Sequence, residues 1–361
     1  MGWVTQASTE AGDDSGRYTL GAERSCTSSS DMRDRIAPAA RRVCLAPMLD
    51  RTDRHFRYLV RQITRTALLY TELVPASAIV CGRQTWMLEY NPIEHPVAIQ
   101  FGGNTPEILA KCARIAADCG YDEVNLNVGC PSNRVTNGRF GACLMANPGL
   151  VARCVEAMAK AVAIPVTVKH RIGIDAHYQY EDLKEFVTTV AQAGCTTFIV
   201  HARKAWLNGL SPRQNRFLPP LDHAMVYRLK ADNPELTIIT NGGIVSLAEG
   251  VTHMEWVDGV MIGRAAYEAP YLLAEVDRLF GSHTDTPPSR YQIISGMCEY
   301  LIRESAAGTP SARILRHMHG LLHGQPGARR WRHCLTAMAA ADYSLSAFYQ
   351  IPQELQELVE H

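Results

Sequence analysis

Residues 96–128 read PVAIQFGGNTPEILAKCARIAADCGYDEVNLNV, and the fold follows from how this stretch is parsed. PVAIQF (96–101) and EVNLNV (123–128) are short apolar runs with β-branched residues, the composition of buried strands. TPEILAKCARIAADC (105–119) lies between them with apolar residues at helical spacing. Strand, amphipathic helix, strand is a βαβ unit, and the two strands of such a unit pair in parallel. The same order recurs on both sides. Further strands are expected at 43–47 (VCLAP), 68–74 (LLYTELV), 165–170 (PVTVKH), 197–202 (TFIVHA), 237–241 (TIITN) and 258–262 (DGVMI), with another amphipathic segment at 180–193. Eight strands in this order fit a closed barrel, which takes about 250 residues. An open doubly wound sheet normally has about five or six strands, and no G-x-G-x-x-G follows the first one. The expected fold is therefore α/β, a (β/α)8 TIM barrel over residues 41–282.

Outside that region the composition changes. Residues 1–40 are polar and rich in Ser, Thr, Gly and Asp, and are expected to form a disordered extension. SHTDTPPSR at 282–290 has the composition of a linker. Beyond it the pattern is helical with no strand-like run, so 283–361 is expected to be a small all-helical domain. The chain of 361 residues carries no net charge, so any nucleic-acid surface must be a local patch. Its 11 cysteines are scattered and odd in number. None forms a C-x-x-C pair, which argues against a disulfide framework and against a zinc site. Reduced thiols fit a cytoplasmic enzyme. There is no signal-peptide core and no apolar run of about 18 residues for a membrane span.

Active sites of such barrels lie at the C-terminal ends of the strands. Polar and glycine residues recur there: Pro47 and Met48 after strand one, Gln100 on strand three, Asn127 and Cys130 after strand four, Lys169 and Arg171 on strand five, His201 on strand six, Asn241, Gly242 and Gly243 on strand seven, Gly263 and Arg264 on strand eight. One polar strand end is an ordinary solvated loop residue; a full set converges on one face. Gly242 and Gly243 can bring backbone N–H groups to an anion, and Arg264 can grip a phosphate. A flavin ring needs a cation near its N1/C2 edge and donors to its pyrimidine edge, which Lys169, Gln100 and His201 can supply. Cys130 alone of the cysteines sits in a predicted active-site loop, where a thiol can act as general acid; Cys44, Cys112, Cys119, Cys154 and Cys195 fall in predicted strands or helices and read as small buried hydrophobes.

Together these strings resemble the tRNA-dihydrouridine synthases: APMLD (46–50), NVGCPS (127–132), VKHR (168–171), HARKA (201–205), NGGI (241–244) and IGR (262–264). SPRQNR (211–216) and PGARRWR (326–332) are similar to the A subfamily, which acts on uridines 20 and 20a of the D-loop; that subfamily often has Trp where Arg51 stands and Lys where Arg213 stands. The resemblance implies FMN held by Pro47, Met48, Leu49, Gln100, Lys169, His201, Asn241, Gly242, Gly243, Gly263 and Arg264. It implies Cys130 as the catalytic acid, NADPH as electron donor, and tRNA contacts from Asn127, Arg171, Arg213, Arg216, Arg329 and Arg332.

The C-terminal segment speaks for RNA independently. Ser305 to Ala341 contains no Asp or Glu but holds Arg313, Arg316, Arg329, Arg330 and Arg332 with four histidines. A charge run is usually a solvated face; this one lacks acidic partners of its own, as a phosphate-binding surface would. Three other readings stay open on the residues alone. One is a flavin barrel acting on a free pyrimidine or dihydroorotate, which would not need the arginine segment. Another is a phosphate-binding lyase or isomerase with Lys169 as a Schiff-base lysine. The third is a non-catalytic RNA-binding protein.

Overall fold

A computed structural model describes residues 36–132, 135, 138–281 and 286–340. The expectations for residues 1–35 and 341–361 lie outside the described residues. Eight strands close in sequence order: β1 (Val43–Leu45), β2 (Leu68–Pro75), β3 (Val97–Gly102), β4 (Glu123–Val128), β5 (Val166–Arg171), β6 (Thr197–His201), β7 (Thr237–Asn241) and β8 (Gly259–Ile262). Every pairing is parallel, and Cys44 closes the ring between Leu68 on β2 and Met261 on β8. The TIM barrel expected from the sequence is present.

Alternation along each strand decides what faces where. On β4, Val124, Leu126 and Val128 join the large core between barrel and helices. Glu123, Asn125 and Asn127 take the other face, inside the barrel, and all three are buried. The interior below the mouth is filled by Cys44, Leu68, Tyr70, Ala98, Ile199, Ile239 and Met261. Ile36 and Ala40 belong to the same cluster. The helix Pro38–Arg42 precedes β1 and so stands at the N-terminal end of the barrel. Ile36 and Ala40 thus help to plug the open lower end of the barrel ahead of β1.

The outer helices have local causes. Pro106 occupies the first turn of Pro106–Asp118, where its missing N–H costs nothing. That helix buries Leu109, Cys112, Ala113 and Ala116 on one face. The next, Pro148–Ala161, is capped by Asn147, whose side chain accepts from the Leu150 N–H at 3.1 Å. It buries Val151, Cys154, Val155 and Met158 at helical spacing. Each large apolar side chain buried this way contributes roughly 1.5–3 kcal/mol.

Beyond the barrel stand the helices Arg290–Ala306, Ser311–Met318 and Ala328–Ala340. Ser289 and Gln292 form a capping box at the first. Trp331 is fully buried, and its indole N–H donates to the Met318 carbonyl at 2.9 Å. This unit docks on the barrel helix Arg54–Ile63. Tyr58 and Tyr300 stack with ring centroids 3.8 Å apart, and Arg54 pairs with Glu304 at 2.7 Å.

Asp53 is the hinge-pin of that seam. Its side chain caps the barrel helix by accepting from the His55 and Phe56 N–H groups, and it also pairs with Arg316 at 2.6 Å and with the buried His317 at 2.9 Å. Burial opposes its charge, but the bond and charge of His317 and the Phe56 N–H outweigh that and hold its carboxyl well below the usual range. The acid-free segment is therefore not wholly without partners: Arg316 and His317 find theirs in the barrel, far away in sequence. Arg329, Arg330 and Arg332 remain exposed, on the side of their helix away from buried Trp331, Leu335 and Met338.

Candidate active site

The strand-end residues converge as inward-facing neighbours at the C-terminal mouth. Asn127 and Lys169 are register partners on β4 and β5, as are Arg171 and His201 on β5 and β6, and His201 and Asn241 on β6 and β7. The Lys169 ammonium donates to Asn241 Oδ1 at 3.0 Å, and the Asn241 amide donates to the Met261 carbonyl at 2.7 Å. Burial on the floor of the mouth, with Arg171 adding to it, pulls the Lys169 ammonium down to about 7. Burial first, then Arg171, Lys169 and Arg203, hold His201 well below its ordinary value, so its imidazole is neutral.

Behind this floor runs a hydrogen-bonded relay. Glu123 Oε1 accepts from the Tyr70 hydroxyl at 2.6 Å and from Thr167 Oγ1 at 2.5 Å. Its other oxygen faces the Arg41 guanidinium at 2.5 Å, an ion pair without hydrogen-bond alignment. Thr167 spends its single hydroxyl proton on Glu123 and so can only accept from its other neighbour. That neighbour is the Asn125 amide, at 2.9 Å. The Asn125 oxygen then accepts from Gln100 Nε2 at 2.7 Å, and the Gln100 oxygen accepts from Asn127 Nδ2 at 2.8 Å. Asn127 Oδ1 is left to accept from the backbone N–H groups of Gly129 and Cys130, at 3.2 and 3.0 Å. One anion inside the barrel thereby sets the orientation of every amide up to the Cys130 loop.

Cys130 is half-buried, with its thiol 3.4 Å from Ser132 Oγ. Arg171 braces the same loop. The sequence placed it against RNA; in the structure it is 3% exposed, and its guanidinium donates to the carbonyls of Gly129 (2.8 Å), Lys204 (3.1 Å) and Asn215 (3.2 Å). An inward residue one position pair beyond Lys169 lies beneath the loops, not on them.

The opposite wall is built for close approach. Gly242 and Gly243 both have positive φ, 111° and 78°. A Cβ on Gly242 would come within 2.7 Å of the His201 ring, and one on Gly243 within 2.4 Å of Leu221. His223 supports this turn by bonding Thr240 Oγ1 and the Gly242 carbonyl. Gly263 stands beside Ala46 and Met48, with Leu49 largely exposed at the rim. Arg264 lies over the Phe217 ring at 4.1 Å. Arg203 is tied to the Pro219 carbonyl.

Arg51, Arg203, Arg213, Arg216 and Arg264 make no ion pair with a carboxylate among the described residues. Desolvation lowers Arg216, and the charges of Arg264, Arg51 and Arg213 lower it further. A crowd of like charges without counter-charges can receive an anion. The set fits a planar, phosphorylated ligand: a cation and amides at the floor, a positive-φ glycine pair and an unpaired arginine at the wall. Arg329 and Arg332 are not part of the mouth set; they share an exposed helix face in the C-terminal unit.

Sequence reasoning passed over Thr167, Asn125, Glu123 and Arg41. A signal for two of them was present: Glu123 and Asn125 alternate with Asn127 in EVNLNV, which puts all three on one face. Arg203 lay in the HARKA string at the end of strand six without being assigned a role, whereas His223 carried no comparable signal.

Comparison with known proteins agrees. Residues 44–356 match the family model described as dihydrouridine synthase (Dus). The chain is 56% identical over 292 residues to the tRNA-dihydrouridine(20/20a) synthase of Synechocystis sp., covering 81% of this chain and 87% of that protein. It is 53% identical to the protein of that name from Vibrio vulnificus, over 87% of this chain and 98% of the relative. The Escherichia coli K12 protein of that name is 55% identical over 82% of this chain and 86% of its own length. Among solved structures, a 2-naphthoyl-CoA reductase complex superposes with a TM-score of 0.51 at 11% identity, over 66% of this chain and 50% of that one, a likeness of fold alone. With its barrel, its mouth and these relatives in view, the chain belongs to the dihydrouridine synthase family.

Proposed function

We propose that this protein reduces the C5=C6 bond of uridine to 5,6-dihydrouridine in the D-loop of tRNA, at positions 20 and 20a, with FMN as cofactor and NADPH as electron donor. The observation that carries the reading is a single thiol, Cys130, on a loop fixed from below by Asn127 and Arg171, beside a Lys169 that has no carboxylate partner among the described residues. The names of the relatives supply the two positions.

Lys169, Gln100, His201 and Asn241 would hold the flavin ring, and Gly242, Gly243, Gly263 and Arg264 its phosphate, with Pro47, Met48 and Leu49 at the rim. FMN, when bound and reduced by NADPH, supplies the hydride that reaches uracil C6. Hydride at C6 leaves enolate character at C5, which then needs a proton from the opposite face. Cys130, as the general acid, would give its thiol proton to that carbon. The thiolate left behind lies within electrostatic reach of Lys169 and Arg171. Asn127 orients the donor through the Cys130 N–H. The target base must leave its stack to reach this floor. Arg213 and Arg216 at the rim, and Arg329 and Arg332 on the distal helix, would bind the backbone of the tRNA.

The test is expression in cells lacking their own dihydrouridine synthases, followed by mapping of dihydrouridine in their tRNA. Dihydrouridine at 20 and 20a is expected. A colourless purified protein that takes up no FMN, or tRNA that stays unmodified, overturns the reading.

A further inference from the structure

The loops after β5 and β6 are stitched into one body beside the mouth. Asp175 N donates to the Ala205 carbonyl at 2.8 Å, Ala205 N to the Gly173 carbonyl at 2.9 Å, and Leu207 N to Asp175 Oδ1 at 2.9 Å. The backbone of Trp206 is held at both ends by Asn215, which accepts from its N–H at 2.8 Å and donates to its carbonyl at 2.9 Å. Asn215 is fully buried between Arg213 and Arg216 in the chain. Trp206 is thus set at a fixed place relative to those two arginines.

On this body Tyr178 and Trp206 stay 40% and 39% exposed. Rings of this size normally bury about 150–250 Å² each, so holding two in water on a rigid frame forgoes stabilisation. The Lys204 ammonium lies 3.8 Å from the Tyr178 ring centroid and 4.3 Å from that of Trp206. It donates only to a backbone carbonyl, that of Asp175 at 3.3 Å, and meets no carboxylate among the described residues. A protein partner would favour a patch with few charges at its centre. Here aromatic faces alternate with unpaired cations. The ligand that matches both is an unpaired nucleotide, flat on one side and anionic on the other.

Resting on the tRNA reading above, we propose that Tyr178, Lys204 and Trp206 form a stacking platform for an unpaired nucleotide neighbouring the target uridine, with an aromatic ring against its base and Lys204 on its phosphate. The platform selects splayed single-stranded loops, because a base inside a duplex has no free face to offer.

The test measures Kd of the holoenzyme for an unmodified tRNA transcript and for a blunt RNA duplex across a salt series. Trp206→Leu and Tyr178→Leu are expected to bind the transcript roughly tenfold or more weakly, with the slope of log K against log salt unchanged, and to bind the duplex as the wild type does. Trp206→Phe should retain most of the affinity, and Lys204→Met should reduce the slope by about one. Tryptophan emission present in the wild type and absent from Trp206→Phe should be quenched by the transcript. Leu variants that bind the transcript normally, or that weaken transcript and duplex alike, overturn the platform while the wild type still forms dihydrouridine. A wild type that neither binds the transcript nor modifies it overturns the tRNA reading itself.

Discussion

The barrel mouth and the seam beneath the C-terminal helices both gather arginines and histidines, and they treat them in opposite ways. At the seam, Arg316 and His317 close on Asp53, and Arg54 closes on Glu304. At the mouth, Arg51, Arg203, Arg213, Arg216 and Arg264 crowd one another with no carboxylate among the described residues. Charge with its counter-charge supplied within the chain holds elements together. Charge without one waits for a ligand to complete it.

The sharpest break of that contrast is Cys130→Ala. It should leave folding and flavin colour intact and slow dihydrouridine formation by about 10²–10⁴, the usual contribution of a general acid; single-turnover assays on tRNA decide it, and undiminished rates remove Cys130 from the chemistry. At the seam the expected effect is on stability. Asp53→Ala leaves His317 and Arg316 without their counter-ion and the helix without its cap, costing about 3–5 kcal/mol in urea unfolding, with little change in flavin binding per folded molecule. The sign with pH follows from the depressed Asp53 carboxyl: its contribution is complete above the unfolded pKa of about 3.9 and is lost as pH falls from there toward the folded value. The variant should therefore lack part of the wild type's acid-induced loss of stability.

Smaller effects sharpen the comparison. Thr167→Val removes the hydroxyl that polarises the relay and leaves the Asn125 amide unsatisfied, at about 1–3 kcal/mol. FMN affinity, read by flavin fluorescence, should fall, and Thr167→Ser should restore it; an unchanged affinity would reduce the relay to packing. Arg329→Ala combined with Arg332→Ala should lower the salt slope of tRNA binding by about two, whereas Arg316→Ala, already paired within the chain, should leave that slope nearly as it was. The last effect is electrostatic, modest per pH unit and cumulative over its window. With Lys169 lowered to about 7 and an unfolded lysine near 10.4, the unfolded chain of the flavin-free protein binds a proton that the folded one lacks. Stability therefore gains up to about 1.4 kcal/mol per pH unit across that window. Lys169→Met should remove this increment from the wild-type pH profile.

Much of this molecule was readable from local pattern. The alternation of apolar runs with helical segments is a property of neighbouring residues, and it carried the barrel and the set of strand ends. Strand ends converge by topology, so Gln100, Lys169, His201, Asn241 and Gly242 could be named together without coordinates. Cys130 stood out for the same reason; of the thiols read as small buried hydrophobes, Cys44, Cys112, Cys154 and Cys195 are buried, whereas Cys119 caps the end of its helix and is exposed there.

What the sequence by itself determined is therefore whatever depends on period and position: the closed parallel barrel and the set of residues that meet at the C-terminal ends of its strands. Only the tertiary structure decided which charges have partners. Arg171 turned out to brace loops from below, Arg316 to belong to the seam, and Glu123 to orient a chain of amides ending at Cys130. Those outcomes rest on contacts between residues tens to hundreds of positions apart. An arginine looks the same in sequence whether a carboxylate or a phosphate will meet it; the difference arises only when folding brings, or fails to bring, the counter-charge.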